Sequence, residues 1–150
     1  MKVYTSYFYQ IRFFKPYQIP FSTAMWNPAW YKPDYVDHHG VMNGLRVPPL
    51  IPNKRCVNQC IGREKCKLQP RYCNFLKYYK QQLDGLDFYK VMDRCADIAY
   101  QIKEDLGFEE EPEIIFIVYE TPDNPCSERG PIQLWLREHG ISVTEWSKEM

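Results

Sequence analysis

Residues 114–118 read Ile-Ile-Phe-Ile-Val, a run with no polar interruption. A β-strand turns successive side chains to opposite faces, so a strand can be apolar at every position only where both faces are covered. This run therefore predicts the centre of a sheet, and the rest of the chain must supply its neighbours and its cover.

Candidates for both are readable. The segment KVYTSYFYQI is rich in β-branched and aromatic residues and predicts a first strand ending near Ser6; YQIPFSTAM predicts a second and ISVTEW a last. Phe75, Leu76, Tyr79 and Leu83 recur at the spacing of a short amphipathic helix. A longer helix is predicted from an Asp87 cap to Leu106, with Phe88, Val91, Met92, Cys95, Ile98, Ile102 and Leu106 on one face and Gly107 as its stop. Pro131 opens a further helix through His139, closed by Gly140. Strands separated by helices predict a compact α/β domain over residues 1–150, Rossmann-like, with a mostly parallel sheet and flanking helices.

Between the second strand and the helices, residues 26–73 predict an irregular insertion. Pro28, Pro33, Pro48, Pro49, Pro52 and Pro70, with Gly40, Gly44 and Gly62, argue against regular helix there. The same segment holds Cys56, Cys60, Cys66 and Cys73, four of the six cysteines in the chain. The N-terminus has neither the apolar core nor the cleavage site of a signal peptide, and no apolar run approaches membrane-spanning length. These features predict a cytoplasmic protein without membrane contact, in which thiols stay reduced and clustered cysteines are more often metal ligands than disulfides.

Four crowded thiolates repel one another, and a cation relieves that. Zinc takes four sulfurs tetrahedrally at about 2.3 Å, and a four-iron cluster also takes four thiolates. The intervals of three, five and six residues between the cysteines fit neither a pair of CxxC motifs nor the usual ferredoxin run, so a zinc ion and an iron–sulfur cluster both stay open. Such a centre can serve only to fold a loop too poor in aliphatic residues to fold alone. Lys54, Arg55, Arg63, Lys65, Lys67 and Arg71 interleave the cysteines, opposed by Glu64. They either face the phosphates of a nucleic acid or offset the negative charge of the thiolates. Over the whole chain 19 basic and 19 acidic residues cancel, which excludes a global field for polyanions and leaves only local patches.

Cys126 falls in the loop between the central strand and the next helix, where a parallel sheet presents its carboxyl edge. It reads either as a nucleophile of lowered pKa or as a small residue packed at a turn. Arg129 offers an anion clamp. Ser6 and Ser22 end the first two strands, beside Thr5 and Thr23, and with Glu120, Cys126 and Arg129 they define a candidate pocket flanked by Trp26 and Trp30. Asn43 and Gly44 signal a turn that can bring backbone N–H groups to a ligand. Asp37, His38 and His39 form a polar cluster that reads as a solvated loop.

KVYTSYFYQIRFF, IPFSTAMWNPAWY and IIFIVYETPDNPCSERGPIQLWLREHGISV together resemble the domain of unknown function 488 family, including its phage-type members. The likeness covers both ends of the chain, and the four-cysteine middle looks like a subgroup feature. It implies that Tyr119 and Glu120 match the family's strand-end pair, Cys126 its cysteine and Arg129 its arginine. Ser127 and Glu128 stand where the family pattern has a histidine, so any acid–base work of that histidine is either lost in this chain or falls to Glu128. The resemblance implies a fold and a pocket without naming a reaction.

Three functions follow as expectations: a metal-binding protein directed at a nucleotide or nucleic acid, a protein-interaction module acting on a host protein with the metal purely structural, or an iron–sulfur redox protein. An aromatic content of 16%, with twelve Tyr and four Trp, suits stacking on flat ligands or partners and equally suits filling a core and its rim.

Overall fold

The computed structural model describes residues 1–31, 45–60 and 69–150. Five strands form one sheet in the order β3-β2-β4-β1-β5, where β1 is Val3–Tyr7, β2 Gln18–Ser22, β3 Leu45–Arg46, β4 Glu113–Val118 and β5 Val143–Glu145. Every pairing is parallel. The uninterrupted apolar run is β4, at the centre, with Ile114 to Val118 all buried.

Pro20 sits inside β2 without breaking the ladder, and the register explains it. The backbone of Thr23 bonds to Ile117 on β4, whereas the carbonyl of Ser22 accepts from Val47 on the other side. Even-numbered residues of β2 thus face β3, and β3 begins only opposite Phe21. The N–H that proline lacks points where no strand runs among the described residues.

Among the described residues four α-helices follow the expected spacing or depart from it informatively: α1 is Lys54–Val57, α2 Asn74–Asp84, α3 Phe88–Leu106 and α4 Arg129–Glu138. The Asp87 side chain caps α3 by accepting the Lys90 N–H at 3.2 Å, and Gly107 ends it with φ 75°. Gly140 adopts φ 81° after α4, which starts two residues before Pro131. Leu83, Met92, Ala99, Ile132 and Trp135 from α2, α3 and α4 pack with Ile19, Phe21, Ile114 and Phe116 on one face of the sheet. The opposite face, carrying Ile115 and Ile117, is covered by Phe8, Ile11, Phe14, Ala24 and Tyr31. Phe8 and Ile11 belong to a 3-10 turn over Phe8–Phe13 that the aromatic run disguises as more strand.

Segment 26–73 is less irregular than its prolines predict. It supplies the edge strand β3, a 3-10 turn at Pro48–Leu50 and one regular turn of α-helix, α1, whose Asn53 side chain accepts the Cys56 N–H at 3.1 Å. Proline is harmless there because Pro48 and Pro49 open the 3-10 turn and Pro52 precedes the cap. Tyr31, Leu45, Val47, Leu50 and Cys56 are buried, so this segment is part of the core. Two phenols fasten it: Tyr31 donates to the Leu45 carbonyl, and Tyr79 on α2 donates to the Leu50 carbonyl. Burial pushes both hydroxyls far above the usual tyrosine range, so they remain donors.

Candidate functional site at the carboxyl edge of the sheet

Because all five strands run parallel, Tyr7, Ser22, Val118 and Glu145 end at one edge. Ser6 and Ser22 both lie opposite Ile117, one on each neighbouring strand, and share its face. Both are fully buried. The Ser6 hydroxyl donates to the Trp146 carbonyl at 2.9 Å, and that of Ser22 donates to Asn27 Oδ1 at 2.5 Å while accepting the Ala24 N–H at 3.2 Å. Thr23 donates to the Ile117 carbonyl at 3.0 Å. These hydroxyls tie the loops after β1 and β2 to the sheet.

One residue earlier, the alternation turns Thr5 to the helical face. Its hydroxyl accepts from Gln133 of α4 at 2.7 Å and donates to Glu145 Oε1 at 2.8 Å. The same carboxylate oxygen receives Arg129 Nε at 2.6 Å. Arg129 also donates through Nη1 to the Thr121 carbonyl at 3.2 Å and through Nη2 to the Glu120 carbonyl at 2.8 Å. Only 8% exposed, Arg129 clamps the loop after β4 onto β5. Its guanidinium is directed at its own chain, which makes it a positioning residue for Glu120 and Thr121. Glu145, which sequence reasoning passes over, is the hub of this network; its one signal is an acid closing an otherwise ordinary strand pattern.

The sheet alternation thus separates Ser6 and Ser22 from Thr5 and the Arg129 network by one face. After β4 the loop at 119–128 holds Glu120 and Cys126 half-buried and Tyr119 exposed. Cys126 N–H donates to Asn124 Oδ1 at 2.9 Å, and Ser127 Oγ accepts the Arg129 N–H at 3.1 Å, two local turns that carry the chain into α4. Glu128 is buried, and its charge contributes to the raised Tyr79 hydroxyl. Trp26 is 76% exposed, whereas Trp30 is half-exposed and makes edge contacts with Phe8 and Tyr31. Asn43 lies outside the described residues, as do Asp37, His38 and His39.

In the cysteine segment, Cys56 is buried and its thiol donates to Gln82 Oε1 at 3.4 Å. Burial pushes that thiol up, against the opposing pull of its capping bond and Arg55. Cys60 is exposed and Cys73 is half-buried at the start of α2. Cys66 lies outside the described residues, and among those described no three Cys, His, Asp or Glu side chains gather as a metal site. The described members of the basic set, Lys54, Arg55 and Arg71, are exposed, with the Arg55 guanidinium 4.6 Å from the Tyr78 ring centre and that of Arg71 4.8 Å from Tyr72. Arg63, Lys65 and Lys67 fall outside the described residues. No described helix is long and apolar enough to cross a membrane.

No protein-family model, curated protein or solved structure matches the chain. The likeness to the domain of unknown function 488 family therefore rests on the three sequence stretches that suggest it.

Proposed function

We propose that this protein binds a metal through Cys56, Cys60, Cys66 and Cys73 and is directed at a nucleotide or nucleic acid, taken up at the carboxyl edge of a Rossmann-like sheet. The observation that carries the reading is the pinned loop at 119–128. It stands at the edge where open parallel sheets take ligands, just before a ten-residue helix, and it holds Glu120 and Cys126 half-buried rather than sealed. Exposed Lys54, Arg55 and Arg71 supply local positive charge to a chain of zero net charge. Trp26 and Tyr119 give flat surfaces near that level of the sheet on which a base can stack.

On this reading, fluorescence anisotropy with labelled single-stranded and duplex DNA gives binding that weakens steeply as salt rises, and that charge removal at Arg55 and Arg71 weakens further. Failure to bind either form at low salt ends it. Elemental analysis of the purified protein is expected to return one zinc centre or an iron–sulfur cluster, and a metal-free folded protein removes the metal part alone. Substituting Cys126→Ser separates chemistry from binding: affinity persists, and any turnover is lost if the thiol is the nucleophile.

A second reading, an interaction module for a host protein, is favoured by the exposed aromatics Trp26, Tyr72 and Tyr119. It predicts salt-insensitive absence of nucleic-acid binding together with a folded, metal-loaded chain.

A further inference from the structure

Gln82, near the end of α2, commits its whole side-chain amide to the chain between Pro49 and Cys56. Nε2 donates to the Pro49 carbonyl at 3.2 Å and to the Ile51 carbonyl at 2.7 Å. Oε1 accepts the Asn53 N–H at 3.0 Å and stands 3.4 Å from Cys56 Sγ. One turn earlier on the same helix, Tyr79 holds the Leu50 carbonyl. Asn53 in turn caps α1 by accepting the Cys56 N–H.

These partners fix which end of the amide is which. Two carbonyls can be met only by its NH2 group, and a backbone N–H only by its oxygen. Cys56 therefore faces an acceptor, and its sulfur supplies the proton. A metal-bound sulfur has no proton to supply and would set its negative charge against the Gln82 oxygen. Turning the amide over would set NH2 against the Asn53 N–H and oxygen against two carbonyls. Cys56 is 1% exposed, whereas Cys60, four residues on, is open to solvent. As placed, Cys56 fits a thiol and does not fit a metal ligand.

We infer that Gln82 is a latch on the cysteine segment: it holds Cys56 as a shielded thiol, opposes metal loading, and opens when the Cys56 sulfur turns to the metal. The latch presupposes the metal centre proposed for the four cysteines and adds the step by which the fold admits the ion.

The test uses the full-length, reduced, metal-free protein, with zinc as the probe. Iodoacetamide footprinting by mass spectrometry is expected to label Cys56 at least about tenfold more slowly than Cys60, a gap that narrows in Gln82→Met. Zinc titration against a chromophoric chelator is expected to give a Kd at least about twofold lower for Gln82→Met than for the parent, because one opposing hydrogen bond is gone. In the parent, zinc is expected to move the Gln82 side-chain NH2 resonances. Cys56→Ser keeps a donor for Gln82 but removes the sulfur, and zinc affinity is expected to fall at least about tenfold. Equal labelling of Cys56 and Cys60, unmoved Gln82 resonances in the zinc-loaded parent, or unchanged zinc affinity in Cys56→Ser would overturn the latch and leave the metal to the other cysteines. A parent that takes up neither zinc nor a reconstituted iron–sulfur cluster ends the metal reading and the latch together. If Gln82→Met does not fold, the parent resonances and Cys56→Ser decide the matter.

Discussion

On its helical face the sheet meets three amphipathic helices, and Trp135, wholly buried, sits with its ring 4.9 Å from that of Phe88. On the opposite face it meets no helix among the described residues; a 3-10 turn and loop residues cover it, through edge-on aromatic contacts such as Phe8 with Tyr31 at 5.2 Å and Phe14 with Trp146 at 4.7 Å. The helical side seals by repeating one spacing, so its cohesion is spread over many equivalent positions. The loop side depends on a few rings and on hydroxyls bonded to particular carbonyls. The first arrangement suits a foundation, and the second holds the loops at the carboxyl edge by individual bonds rather than by a repeated spacing.

Four tests bear on this contrast. Trp135→Ala empties the centre of the helical side and is expected to cost about 3–5 kcal/mol in denaturant unfolding. A cost near that of a surface change would mean that the helices are not the foundation. Arg129→Met leaves Glu145 partly buried without its cation. Because the Glu145 side chain keeps 22% exposure, the expected loss is about 2 kcal/mol, below that for a sealed pair. A double-mutant cycle with Glu145→Gln should show coupling, and simple additivity would dissolve the clamp. On the loop side, Tyr31→Phe deletes the donor to the Leu45 carbonyl for about 1 kcal/mol, and hydrogen exchange should quicken at Val47 more than within α3.

The fourth test lies at alkaline pH. The Cys95 thiol is raised from 9.0 to about 12 by burial, so the unfolded chain loses this proton first as pH rises. Its contribution is therefore complete below pH 9.0 and declines toward about 12. Urea midpoints taken across that window should fall less steeply for Cys95→Ala than for the parent, and parallel slopes would place the alkaline sensitivity elsewhere.

Regular elements with one dominant spacing are legible in the residues themselves. The β4 run, the Asp87 cap, the α3 stripe and the glycine stops all report a local period or a local steric rule, and each appears where its residues place it. The 3-10 turn at Phe8–Phe13 is hidden because its aromatic residues have strand propensity and the override is tertiary: Phe8 and Ile11 turn to seal the sheet. β3 is hidden because two residues carry no period. The site is less legible than the fold. Ser6, Ser22 and Arg129 stand out by type and position at strand ends, yet their polar atoms serve Trp146, Asn27, Glu145 and the loop carbonyls. A residue type announces which bonds it can form, and only its neighbours decide whether those bonds are spent within the chain.

Sequence alone determined that this chain builds a parallel α/β sheet around residues 114–118, since an unbroken apolar strand has few other places to go. Tertiary structure decided which face the helices cover, that the proline-rich middle joins the core, and that Arg129 grips Glu145 rather than facing outward. The reason is range. Periodicity and capping act over a few residues, whereas Arg129 and Glu145 meet across 16 positions and Thr5 and Glu145 across 140, distances over which the chain carries no local signal of its partner.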